Sequence, residues 1–157
     1  MSLIGMQAGI MASGAVIIGS HRYWGYTFTA TASASFVQMG EVRMKTVAAG
    51  TNVATGGTAG ASSFYGAGYE PAKAFDANTT TLWDSATGLP QSLWYDFGAG
   101  VTQSIVEYDL YPVTGDPTEI PTAWTFWYSD DNITRTTVHT KSSQSLTAGS
   151  YNTYSAP

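Results

Sequence analysis

Ala74-Phe75-Asp76-Ala77-Asn78-Thr79-Thr80-Thr81-Leu82-Trp83 sets a short polar loop between two large apolar residues. Phe75 and Trp83 can anchor such a loop in a core. Between them Asp76, Asn78, Thr81 and the local carbonyls can converge on a small space. Converging oxygens, without nitrogen or sulfur, suit a hard cation such as calcium. The same residues also suit an Asx-type turn, in which Asp76 and Asn78 bond neighbouring backbone amides. Residue types alone leave both readings open.

The surrounding composition points to strands. Only 11% of the 157 residues are charged and 13% are aromatic, a balance that favours β-structure. A chain of this length fits one domain and buries about 70% of its unfolded surface. The net charge is −5 and the six basic residues are scattered, which argues against a nucleic-acid backbone as partner. With no cysteine there is no disulfide framework and no thiolate metal site. Residues 1–20 are apolar but interrupted by Gly5, Gln7, Gly9, Ser13 and Gly14, and no lysine or arginine precedes Arg22. The positive segment of a secretory signal is therefore missing, and the apolar runs fall short of the ~20 residues of a membrane span. Two readings remain: a loose tail leading to a strand at Ala15–Ile18, or an arm that packs on a neighbouring subunit.

Further along, Tyr23 to Ala30 alternates, with Trp24, Tyr26, Phe28 and Ala30 on one face. Phe36 to Thr46 reads as a second strand whose apolar phase slips, which predicts a bulge near Gly40-Glu41. Thr46 to Gly60 reads as loop, Phe64 to Tyr69 as an aromatic–glycine loop, and Pro71 to Phe75 as one helical turn. Strands are expected at Ser92–Phe97, Val101–Tyr111, Ala123–Ser129, Thr136–Thr140 and Tyr151–Ser155, with a turn at Asp130-Asp131-Asn132. About seven or eight short strands separated by turn signals imply an all-β antiparallel sandwich.

Three blocks of residues then resemble one family. Ala74-x-Asp76-x-Asn78-x-x-Thr81-x-Trp83 is similar to the A-x-D-G-N-x-x-T-x-W signature of discoidin-like domains. These are the coagulation-factor type C family, relatives of many galactose-binding modules. Trp94-Tyr95-Asp96-Phe97-Gly98 resembles its W-x-x-D-L-G strand, and Pro121-x-x-Trp124 through Asp131 resembles its P-x-x-W-x-L-x-x-S-x-D-G. The blocks keep the family's order across roughly residues 50–155. Ala77 and Asn132 replace glycines of those motifs, and Arg135 stands where the family commonly has tryptophan. Alanine tolerates a positive φ badly and asparagine better.

The resemblance implies a galactose-binding-like jelly roll with an unusual order. The family's last strands carry an aromatic R-Y unit and an E-I or E-V pair. Here such a unit comes first, as Arg22-Tyr23-Trp24-Gly25-Tyr26 and then Gly40-Glu41-Val42. The expectation is a permuted N-terminal closure, with residues 1–20 an apolar arm and 21–157 a single domain. In the family that glutamate commonly reaches the cation loop, so Glu41 joins Asp76, Asn78 and Thr81 as the expected ligands of a structural calcium.

No triad, zinc or phosphate motif surrounds His21 or His139, and Glu107 and Asp109 alternate as the solvated face of a strand, so enzyme chemistry is not expected. Discoidin-like domains bind sugars, lipids or proteins through end loops, which points to Phe64, Tyr65, Tyr69 and Trp83 as a ligand surface, with Trp83 and Phe64 alternatively core residues, the reading preferred for Trp83. The permuted strands and apolar arm are similar to discoidin-like domains of bacteriophage virion proteins. The function implied is a virion structural or adhesion subunit of a tail, fibre or capsid. It would form a homo-oligomer, meet other virion proteins through its arm and have cell-surface glycans as possible ligands. The alternative is a free, extracellular carbohydrate-binding module.

Overall fold

A computed structural model describes residues 18–156, so most of the expected arm and of the Ala15–Ile18 strand lies outside the described residues. Ten strands follow in chain order: β1 (Tyr23–Thr31), β2 (Gln38–Met39), β3 (Glu41–Lys45), β4 (Thr58–Ala61), β5 (Trp83–Asp84), β6 (Gln91–Asp96), β7 (Glu107–Tyr111), β8 (Pro121–Ser129), β9 (Thr136–Lys141) and β10 (Asn152–Ser155). One sheet runs β4-β6-β1-β8-β9 and a second runs β10-β7-β3, with β2 and β5 as a separate pair. Every pairing is antiparallel. The chain is all-β and sandwich-like.

Alternation in the two aromatic strands explains the core. Trp24, Tyr26 and Phe28 of β1 share one face with Trp124 and Phe126 of β8, all fully buried. Opposite them, β3 and β7 supply Val42, Met44, Tyr108 and Leu110. The rings interlock across the two sheets, with Tyr108 4.5 Å from Phe126 and 5.1 Å from Tyr26 between centroids. Each such ring removes enough surface from water for about 4–6 kcal/mol of gross transfer energy.

The structure departs from the sequence reading in four places. The phase slip at Gly40 is not a bulge. β2 ends there and pairs with β5, whereas β3 begins at Glu41 and pairs with β7. Gly40 permits the switch, since a Cβ would stand 2.6 Å from Val113 and 3.0 Å from the Tyr111 carbonyl. The strand expected from Val101 starts only at Glu107. The segment expected as loop up to Gly60 ends in β4, which pairs with β6.

Glu107 and Asp109 are not a solvated face. They lie 9% and 2% exposed around Lys45, whose Nζ stands 2.7 Å from Glu107 and 2.9 Å from Asp109. Ala49 N–H and Thr153 Oγ1 donate to the same two carboxylates. Alternation placed these residues on one face, but it could not show that Lys45 sits opposite Glu107 in register.

Candidate functional site

The loop after the 3-10 turn Pro71–Ala74 gathers oxygen atoms around one hydroxyl. Asp76 Oδ1 accepts the Asn78 N–H at 3.0 Å, and both Asp76 oxygens lie within 3.0 Å of Thr81 Oγ1. The Asn78 carbonyl is 2.9 Å from the same Oγ1, and the Lys73 carbonyl is 3.5 Å away. One hydroxyl proton cannot serve all of these acceptors, so the cluster carries surplus lone pairs. Asn78 spends its side-chain oxygen on Thr80, through N–H at 3.1 Å and Oγ1 at 2.7 Å. It therefore offers its backbone carbonyl to the centre. Ala77 adopts φ 59°, the left-handed conformation that glycine takes freely and alanine does not.

Glu41 meets this loop from the first residue of β3. It is 1% exposed, and neither carboxylate oxygen accepts a hydrogen bond of ordinary geometry. Burial, aided by the neighbouring Asp76 charge, raises its pKa to about 7. The Ala77 and Asn78 amides and Arg43 pull weakly the other way. A buried carboxylate whose amide contacts fall short of ordinary hydrogen bonds, beside a second carboxylate, is unfavourable unless a proton or a cation joins them. The four residues Glu41, Asp76, Asn78 and Thr81 thus come together, and the donor set of carboxylates, carbonyls and a hydroxyl fits a hard cation. Among the described residues no group of three or more His, Cys, Asp or Glu is gathered, so any cation here relies on mixed oxygen ligands. The Lys73 carbonyl stands near the same hydroxyl, one of the backbone oxygens that residue type does not report.

The expected ligand residues divide. Phe64 and Tyr65 are 48% and 64% exposed, and Tyr69 is 36% exposed. Tyr65 meets Tyr69 edge to face at 5.7 Å and Phe36 at 6.0 Å, which adds Phe36 to the group. Trp83, by contrast, is fully buried, and its indole N–H donates to the Ser63 carbonyl at 3.0 Å. It has no surface to offer a ligand, and instead holds the base of the aromatic loop. Beside Asp76 a cleft of about 390 Å³ opens between Gly56, Gly57, Phe75 and Tyr95.

Both histidines and Arg22 are committed to the fold. His139 Nε2 lies 2.6 Å from Tyr108 Oη, which also accepts the Trp124 indole N–H at 2.9 Å. Burial, with Lys141 nearby, lowers the His139 pKa to about 4. His21 stacks on Tyr128 at 3.6 Å and bonds Asp130 at 2.9 Å. Arg22 holds Asp96 through two bonds of 2.7 and 2.8 Å.

No family model, curated protein or solved structure matches this chain. Among the described residues no helix is long and apolar enough to cross a membrane.

Proposed function

We propose that this chain is a non-enzymatic structural and adhesion protein. In this reading it is a bacteriophage virion subunit of the tail, fibre or capsid-decorating kind. Residues 21–157 form one discoidin-like jelly roll with its N-terminal strands permuted into the place of the family's last ones. The observation that carries the reading is the position of β1. It follows closely on the apolar residues 1–20 and is the middle strand of the five-stranded sheet. Load on an arm at 1–20 passes at once into two hydrogen-bond ladders, with β6 and with β8. That suits an attachment device in a symmetric assembly. The commitment of both histidines and of the Lys45 cluster to structural contacts supports the non-enzymatic reading.

Calcium, where bound, is structural. Asp76, Thr81, the Asn78 carbonyl and Glu41 hold it, and it joins the loop to β3 by supplying the positive charge that Glu41 lacks. Exposed Phe64, Tyr65 and Tyr69 favour a second reading, a free extracellular module that recognises glycans with these rings. Light-scattering mass of the full chain and of a form lacking residues 2–19 separates the two. An oligomer that becomes monomeric on deletion supports the virion subunit. A monomer in both forms, retained on a glycan array and released by Tyr65→Ala, supports the free module and overturns the first reading.

A further inference from the structure

The outward face of the five-stranded sheet carries a row of aromatic and glycine residues in strict cross-strand register. Gly60 of β4 pairs with Trp94 of β6, Trp94 with Gly25 of β1, and Gly25 with Trp127 of β8. The glycines let the indoles lie flat on the backbone. A Cβ on Gly60 would stand 2.5 Å from the Trp94 ring, and one on Gly25 would stand 2.6 Å from the Trp127 ring. Trp127 is 1% exposed, yet it lies outside the main apolar cluster. Arg135 covers it from the solvent side, with the guanidinium 4.1 Å from the Trp127 ring and 5.4 Å from that of Trp94. One Arg135 nitrogen donates to Ser92 Oγ at 3.0 Å.

The next row along the strands is made of hydroxyls, of which Ser92 and Thr27 bond each other, Arg135 and the Trp127 indole, while Thr125 and Thr140 continue the row. Of the five tryptophans, Trp24, Trp83, Trp124 and Trp127 donate their indole N–H to protein acceptors. Among the described residues the Trp94 N–H has none, and Arg135 has no carboxylate within ion-pair distance. The carboxylate on this face, Asp96, is held by two bonds from Arg22. The platform therefore combines a partly exposed indole face, a free indole donor, hydroxyls and a cation with unused donors.

We propose that this face is a second binding site, distinct from the aromatic loop, for a saccharide bearing a carboxylate. A pyranose ring packs on Trp94 and its carboxylate takes the open edge of Arg135. Each part has its chemical reason. The axial C–H face of a pyranose is apolar and flat enough for an indole, and the planar guanidinium fork matches a carboxylate bidentately. Ring hydroxyls of the sugar meet the Trp94 N–H and the hydroxyls of Thr125 and Thr140.

The test titrates the full chain with 3′-sialyllactose and with trigalacturonate, which separates sialate from uronate, followed by calorimetry and tryptophan fluorescence. Lactose and methyl-esterified trigalacturonate serve as uncharged counterparts. Saturable binding of an acidic probe, at least about tenfold tighter than its counterpart, is expected. Trp94→Ala and Arg135→Gln should each weaken it about tenfold or more, while Tyr65→Ala leaves it unchanged. Melting curves confirm that the variants fold, and Arg135, being exposed, carries the test should Trp94→Ala fail to do so. The proposal is overturned by no saturation at ~10 mM of either acidic probe. Equal binding of the uncharged counterparts, or binding that survives both variants, also overturns it. Loss through Tyr65→Ala alone assigns the sugar to the aromatic loop instead, and leaves the glycan reading of that loop standing.

Discussion

Replacing Glu41 by Gln should stabilise the metal-free protein above neutral pH. The Glu41 carboxylate is raised from its usual 4.5 to about 7 by burial and by Asp76. Between those values the folded state binds more protons than the unfolded chain. Stability therefore falls as pH rises from 4.5 to 7 and stays reduced above it. At about 1.4 kcal/mol for each tenfold in proton affinity the cost is capped near ~3 kcal/mol. Asp76, Ala77 and Asn78 are exposed, so water screens the charge and about 1–2 kcal/mol is expected to remain. For a domain of this size that is about 2–8 °C in melting temperature.

The assay is thermal unfolding of both proteins in chelator at pH 5 and pH 8, then at pH 8 with millimolar calcium. Glu41→Gln should melt higher than the parent at pH 8 and close to it at pH 5. Calcium should raise the parent at pH 8 and move the variant much less, since a cation stabilises the anion that glutamine cannot form. His139 adds an opposite slope, because its neutral form is kept in the fold and stability is lost as pH falls from 6.5 toward 4. That slope is common to both proteins and cancels in their difference. A variant that melts no higher than the parent at pH 8 in chelator, and answers calcium equally, would refute the argument.

Other substitutions test single contacts. Ala77→Gly should stabilise by about 1 kcal/mol in chemical denaturation, because Ala77 holds φ 59° against its Cβ. Trp83→Ala should cost about 3–5 kcal/mol by the same measurement, as expected of a fully buried ring; a loss below ~1 kcal/mol would show that Trp83 is not a core residue. His139→Asn should flatten the decline in stability between pH 6.5 and 4, followed by melting temperature across that range, and an unchanged acid slope would exclude His139 as its source.

The strands legible in the sequence were those whose alternation reports on one buried face. β1 and β8 are such strands, with Trp24, Tyr26 and Phe28 facing Trp124 and Phe126. The phase slip at Gly40 was equally visible, but periodicity reports a change of face and not a change of partner, so a switch between pairings read as a bulge. Glu107 and Asp109 alternate with Tyr108 and Leu110 as solvated residues would. Their burial depends on Lys45 lying opposite Glu107 and on the backbone near Ala49 closing over them. Neither fact is local.

The candidate sites divide along the same line. Asp76, Asn78 and Thr81 are neighbours in sequence, so their convergence could be read from spacing, and Glu41 could be added only through the resemblance. The outer platform could not be read at all, since Gly60, Trp94, Gly25, Trp127 and Arg135 come from five separate segments and meet through register alone. What unites the two sites is charge. Arg22 is paired with Asp96, and Lys45 with Glu107 and Asp109. Glu41, closed beneath a loop, and Arg135, laid over a buried indole, have no such pair among the described residues. An unpaired charge is unfavourable in proportion to its burial, which weighs on the buried Glu41, whereas the exposed Arg135 keeps unused donors. Each site is therefore poised toward one sign of ligand: Glu41 toward a cation, Arg135 toward an anion. The two should bind independently, because no ionisable group is shared between them. Calcium should leave the acidic-saccharide affinity unchanged, and a saccharide that displaced calcium would show that the two charges answer to a single site.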